Sequence, residues 1–196
     1  MIPALFDERK AAQAAAFLLH RAGGRLPIMK LIKLMYLAER ESLRRHGDTI
    51  TGDSFVSMPR GPVLSMTLNH INGAMPSVPG GWSTWITDRA DNEVALSDPS
   101  LIADPGQDLL ALSETDVQCL EATWQKFRHM NQFELVAYTH SPACPEWEDP
   151  NQSSRPIPPA RLLKALGYDS AQIRALIDRL HEQRYIKASF AQADAQ

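Results

Sequence analysis

The 196-residue sequence predicts a mainly α fold with a minor β part (α+β), a compact helical domain of six or seven helices with one small antiparallel β element. Three observations predict it. Apolar residues recur at helical spacing through the longest patterned stretch, at Ile28, Leu31, Ile32, Met35, Ala38 and Leu43. Helix-start signals of the capping type stand at Ser113 with Asp116 and at Asn131 with Glu134. Strand-like patterning is confined to short runs around 53–58, 82–87 and 93–96.

Residues 6–22 read as a first helix. Asp7 can cap it, alanine is abundant, Phe17 and Leu18 form an apolar patch, and Gly23 and Gly24 end it. A second helix spans 27–46. Pro27 suits a first turn, where a missing N–H costs nothing. Arg44, Arg45 and His46 suit the negative end, and Gly47 stops the helix. The short connection predicts that the two helices pack antiparallel. A Pro59-Arg60-Gly61-Pro62 turn follows the extended run and opens a third helix at about 62–72. Pro76, Pro79, Gly80 and Gly81 mark a loop. Trp82–Thr87 and Glu93–Leu96, around an Asp/Asn-rich turn, read as a hairpin, and 98–107 as surface loop. Helices then start at Ser113 and Asn131, the second ending before Pro142. Pro142, Pro145 and Pro150 stiffen the next loop. Helices at 159–166 and 170–186 make residues 151–187 a C-terminal extension of a single domain spanning 1–196, and 188–196 is expected to be a flexible tail.

The length suits one domain, and a hydrophobic fraction of 44% is ordinary for a globular chain. No apolar run reaches the roughly 18 residues of a membrane span. The early acids Asp7 and Glu8 argue against a secretory leader, so a cytoplasmic protein is expected. Cys119 and Cys144 stand far apart and are expected to be reduced thiols. The net charge is −3, unevenly spread. Residues 1–47 carry nine basic and four acidic groups, residues 48–120 two and ten, and the remainder balances. Such a bipolar chain favours a polar partner surface over general coating of nucleic acid.

His140 lies near Cys144 in sequence, and Cys119 and His129 stand elsewhere, but no Asn or Asp orienter completes a nucleophilic motif. His46, His70 and His181 follow no ligand spacing, and Gly23-Gly24 lacks the strand–loop–helix context of a phosphate loop. The sequence predicts no enzyme, no cofactor and no metal. Trp82, Trp85, Trp124 and Trp147 read as core or rim aromatics, with one or two as exposed anchors. Lys30, Lys33, Arg40 and Arg44 share one face of the second helix. That face is either a solvated stripe or a partner-binding surface for something acidic.

The run Lys30-Leu31-Ile32-Lys33-Leu34-Met35-Tyr36-Leu37-Ala38 resembles the K-L-x-K-L-L-Y-x-A helix of the Panacea domain, also called the SocA-like antitoxin domain. That family follows this helix with a hydrophilic turn, a short extended run and a GP-V turn, matched here by Gly47 to Gly52, Phe55 to Met58 and Gly61-Pro62-Val63. Residues 134–140, with Pro145 and Trp147, resemble its L-x-x-x-T-H-x-x-x-P-W segment. Each motif alone is weak, but the three agree in order and spacing over roughly residues 8 to 150. The chain departs from the family pattern at Arg40, Glu41 and Ser42, and in a longer stretch before Thr139.

The resemblance implies a bacterial or prophage-encoded antitoxin of a type II toxin–antitoxin system. Such a protein neutralises a cognate protein toxin through direct contact, by occlusion or by delivery to a cellular protease. The resemblance marks Leu31, Tyr36, Gly61, Pro62, Thr139, His140 and Trp147 as structural motif residues. Gly61 and Pro62 set the turn, and Tyr36 is expected beneath it. The alternative is a winged-helix DNA-binding regulator, with helix 62–72 as reader and the 82–96 hairpin as wing. Against it, that helix carries no Lys or Arg, and Asp88, Asp91 and Glu93 would repel phosphates. The sequence therefore predicts a protein partner, weak DNA binding by the domain alone, and no membrane contact.

Overall fold

The structure is a computed structural model that describes residues 5–87 and 89–193. Two helices lie at its centre. The first, α1 (Glu8–Arg21), is capped by Asp7, whose carboxylate accepts from Lys10 N. Every residue from Ala11 to Leu19 is buried, so its alanines let neighbouring elements approach from all sides. A strand of three residues, β1 (Arg25–Pro27), leads into α2 (Ile28–His46). Gly47 ends α2 in the left-handed conformation, with φ of 65°. Residues 31–39 of α2 are buried without a break. A helix enclosed on every face has no solvated stripe over that length, and this overturns the exposed basic face expected there.

The β residues form two small antiparallel sheets. In one, β1 pairs with β4 (Glu93–Ala95), with Leu26 opposite Val94. In the other, β2 (Phe55–Met58) lies between β3 (Gly61–Leu64) and β5 (Arg155–Pro156). Residues 62–64 are therefore strand, where helix was expected. Helix α3 (Ser65–Ile71) starts later because the Asp53 carboxylate accepts from Met66 N at 2.9 Å and from Thr67 N and Oγ1 at 2.8 Å. Trp82–Trp85 is a helical turn, α4, and not the first strand of a hairpin. Glu8 of α1 accepts from Trp82 N at 2.8 Å and from Val78 N at 3.1 Å, which orients that turn. Ile86 bridges to Leu96 and Ala90 to Glu93. Asp88, at the tip of the expected wing, lies outside the described residues.

After a single turn, α5 (Pro105–Asp108), come α6 (Glu114–Phe127) and α7 (Gln132–Thr139). Both open with the capping boxes read from the sequence, Ser113 with Asp116 and Asn131 with Glu134. The C-terminal segment packs onto this body through Ile157, Leu162 and Leu163, all buried, the last two on α8 (Pro159–Ala165). Tyr168 donates to Leu43 O at 2.7 Å, and Arg179 pairs with Asp48 at 3.0 Å. The last helix, α9 (Ser170–Ala193), continues through residues where a flexible tail was expected; 194–196 lie outside the described residues. Among the described residues, no helix is long and apolar enough to cross a membrane.

Candidate functional site

A buried helix must satisfy its polar side chains internally, and α2 does so by gripping three loops. Lys33 is fully buried, and its Nζ donates to Pro62 O at 2.8 Å. It thereby holds the turn between β2 and β3. Gly61 of that turn has φ of +93° and passes so close that a Cβ would lie 2.7 Å from Thr139 Oγ1 and 2.9 Å from Lys33 Nζ. Thr139 donates back to Leu135 O at 3.0 Å within α7. Lys33, Gly61, Pro62 and Thr139 thus form one junction of α2, β3 and α7.

A second grip lies one turn along α2. The Tyr36 hydroxyl donates to Glu146, which is fully buried. Arg40 completes the group: its Nε lies 2.6 Å from Glu146 Oε1, and its Nη2 donates to Ala143 O at 3.0 Å. This fixes the 143–147 loop. Trp147 from that loop donates to Met58 O at 3.0 Å and meets the His140 ring edge-on at 4.1 Å. The third grip is Glu39, whose carboxylate accepts from Ile50 N at 2.7 Å, Thr51 N at 2.8 Å and the Thr51 hydroxyl.

Burial sets the electrostatics of these groups. It pushes the Lys33 amine down to about 7. It raises Glu39 to about 7, against the three hydrogen bonds that favour the carboxylate. Burial and the Glu146 carboxylate hold the Tyr36 phenol well above its ordinary range. Burial and then the Lys33 charge lower His140. The Cys144 thiol is pushed up to about 11, which opposes a nucleophilic role. Both cysteines are buried and unpaired.

A pH dependence follows. Glu39 has a folded pKa raised from 4.5, so its contribution is present at acid pH and is lost as pH rises through about 7. Lys33 has a folded pKa depressed from 10.5, so its contribution is present at alkaline pH and is lost as pH falls through about 7. Thermal melts across pH 5–9.5 (a range of about 4.5 units) test this, with up to ~1.4 kcal/mol per pH unit available from each group. In Glu39→Gln the melting profile should lose slope on the acid side. In Lys33→Met it should lose slope on the alkaline side. Unchanged profiles in both variants contradict these assignments.

The four basic residues expected to share a partner-binding face therefore separate. Lys33 and Arg40 serve the interior. Lys30 donates to Arg128 O at 2.8 Å and sits 5.9 Å from the Trp124 ring centroid. Arg44 alone of the four is largely exposed, 54% by side chain. The end of α6, the β2–β3 turn and the 143–147 loop cover that stripe until the last turns of α2. Of the motif residues, Leu31, Tyr36, Gly61, Pro62 and Thr139 are buried, and His140 and Trp147 are half-buried. Lys33, not Tyr36, lies beneath the turn; Tyr36 packs edge-on against Phe55 at 5.9 Å.

Directly above this junction runs a groove of about 710 Å³. Its walls are the first turn of α2 (Ile28, Met29), the β2–β3 turn (Met58 to Gly61) and the first turn of α7 (Gln132, Phe133). Ile32, Val63 and Leu68 give it an apolar floor, and Arg60 and Arg89 stand at its rim. Arg89 donates to Asn72 at 2.8 Å. Phe133 is 72% exposed. None of the four tryptophans is exposed in this way; Tyr185 and Phe190 are, but Phe133 is the one that lines the groove, and the sequence reading missed it. The available signal was its place on α7, two residues before the buried Leu135 and hence on another face.

The family model described as antitoxin SocA-like, Panacea domain, matches residues 31–148. This span begins at the α2 motif and ends just after Trp147, so it contains all three grips and most of the groove. No curated protein and no solved structure matches the chain. The match covers more than half of the sequence, and the chain belongs to the SocA-like antitoxin, Panacea domain family.

Proposed function

We propose that this protein is the antitoxin of a type II toxin–antitoxin pair, acting in the cytoplasm by direct binding to its cognate protein toxin and not by catalysis. The observation that carries the reading is the groove over the Lys33–Gly61–Thr139 junction. The family motif is spent on holding its walls in place, and Phe133 stands exposed at its edge. Exposed aromatic residues beside apolar concavities are favoured anchors of protein interfaces. The occupant that fits is an extended or helical toxin segment with an apolar face and acidic flanks. The apolar floor takes the first, and the Arg60 and Arg89 guanidiniums complement the second.

The test is growth rescue on co-expression with the product of the adjacent reading frame, alongside a melt of each variant. Phe133→Asp is expected to abolish rescue while melting normally, because exposed substitutions usually cost within about 0.5 kcal/mol. Arg60→Glu should weaken rescue through repulsion of acidic flanks. Arg44→Glu with Arg45→Glu, on the far part of α2, should rescue fully. The opposite pattern, rescue lost with the arginines and kept with Phe133→Asp, moves the interface away from the groove.

A further inference from the structure

Away from the groove, α2 and α6 part around a second concavity of about 340 Å³. Arg44 and Arg45 reach it from α2, and Lys126 from α6. Glu41 is the acid among them, and both arginines donate to it, Arg44 through Nε at 2.9 Å and Nη2 at 2.8 Å and Arg45 through Nε at 2.5 Å. Arg40, at the edge, is committed to Glu146. One carboxylate therefore faces three cations, which leaves roughly two positive charges in a concave wall, where the field of like charges is focused. Arg44 Nη1 and both terminal nitrogens of Arg45 have no hydrogen bond among the described residues, and the two side chains are 54% and 37% exposed. Their donors are thus open to a ligand, and Glu41 holds the guanidiniums in position.

The rest of the lining is largely apolar, and Lys126 Nζ lies 5.1 Å from the Phe127 ring centroid within it. Tyr138 of α7 is half-buried and packs edge-on against Phe127, with ring centroids 4.9 Å apart. Leu37 and Leu166 close the wall around it. Cations beside an aromatic, aliphatic surface suit a ligand that carries both an anionic group and a flat ring. We propose that this cleft binds a small phosphate-bearing molecule with a flat ring, of the mononucleotide class, the phosphate on Arg44, Arg45 and Lys126 and the ring against Tyr138. The terminal fork of Arg45, Arg44 Nη1 and a lysine point charge suit a phosphate's several acceptor oxygens. The cleft is enclosed by three helices, and a concavity of this size takes a small ligand more readily than a protein segment. The site is separate from the groove: Phe133 lines no part of it.

Calorimetric titration of the full-length protein with AMP, inorganic phosphate and adenosine tests the proposal. AMP is expected to bind with Kd below about 1 mM at low salt, phosphate more weakly, and adenosine without measurable heat. Arg45→Gln with Lys126→Gln should weaken AMP at least about tenfold, since both lost groups are cations on the anion. Tyr138→Leu should bring AMP down to the level of phosphate. Phe133→Asp should bind AMP as the wild type does, which keeps this result distinct from toxin binding. A melt of each variant confirms folding. No heat from AMP up to about 5 mM, a value well above ordinary small-ligand affinities, overturns the proposal. So does an affinity unchanged in the double variant, or phosphate binding as tight as AMP.

Discussion

Gly61→Val is expected to lower the melting temperature by about 8–16 °C, the equivalent of ~4 kcal/mol for a chain of this size. Two costs combine. A β-branched residue at φ +93° is strained by roughly 1–3 kcal/mol. The added Cβ also meets Thr139 Oγ1 and Lys33 Nζ inside 3 Å, an overpacking cost of about 1–3 kcal/mol. The lysine resists moving aside, because its Nζ is buried and donates to Pro62 O. The collision can be isolated. Gly61→Ala alone keeps both the backbone strain and the clash, whereas Gly61→Ala with Thr139→Ala removes one of the two clashing atoms. The double variant should therefore melt above the sum of its single changes. Strict additivity would mean that Thr139 is not the constraint.

Glu146→Ala is the second large effect, about 3–5 kcal/mol, or a loss of ~6–20 °C. The carboxylate is fully buried and serves both the Tyr36 hydroxyl and the Arg40 guanidinium. Removing it strands a cation whose side chain is only 13% exposed, along with an interior phenol. The remedy is to remove the charge on both sides. Arg40→Met with Glu146→Leu replaces the pair by apolar groups of similar reach and should recover most of the stability. Tyr36→Phe loses one hydrogen bond and should cost about 1–2 kcal/mol. If Glu146→Ala and the double variant melted alike, the loss would lie in packing, not in the unpaired charge. Arg40 reversal likewise cannot probe a surface, because it places a carboxylate against Glu146.

The sequence announced its helix ends because capping is local chemistry. Asp7, Ser113 with Asp116, Asn131 with Glu134, and Gly47 all act within four residues of the turn they close. The mainly helical class followed from the same spacing. What the sequence did not disclose is what arrives from a distance. Glu8 caps the Trp82 turn from 74 positions away and converts an apparent strand into helix. The run at 93–96 read as strand, but its partner, the three residues Arg25–Pro27 with Leu26 opposite Val94, was too brief to pattern. The basic stripe on α2 read as a surface because periodicity reports only which side is apolar. It does not report that Glu146, 106 residues beyond Arg40, folds over the polar side. The family motif was legible at Lys33, Tyr36, Gly61 and Thr139, but its job as a brace became visible only when those side chains met. Phe133 was passed over because it sits beside a strong cap signal and outside the motif residues.

On the proposed function, the braced groove holds a protein toxin through Phe133. The most direct measurement is the affinity of the purified protein for the product of the adjacent reading frame, with wild type and Phe133→Asp compared at one ionic strength. The expected result is a stable complex with the wild type that is weakened at least ~30-fold in Phe133→Asp, the loss of an interface anchor worth about 2 kcal/mol, with an unchanged melt. A wild-type affinity retained by Phe133→Asp, or no complex with the wild type, contradicts the account.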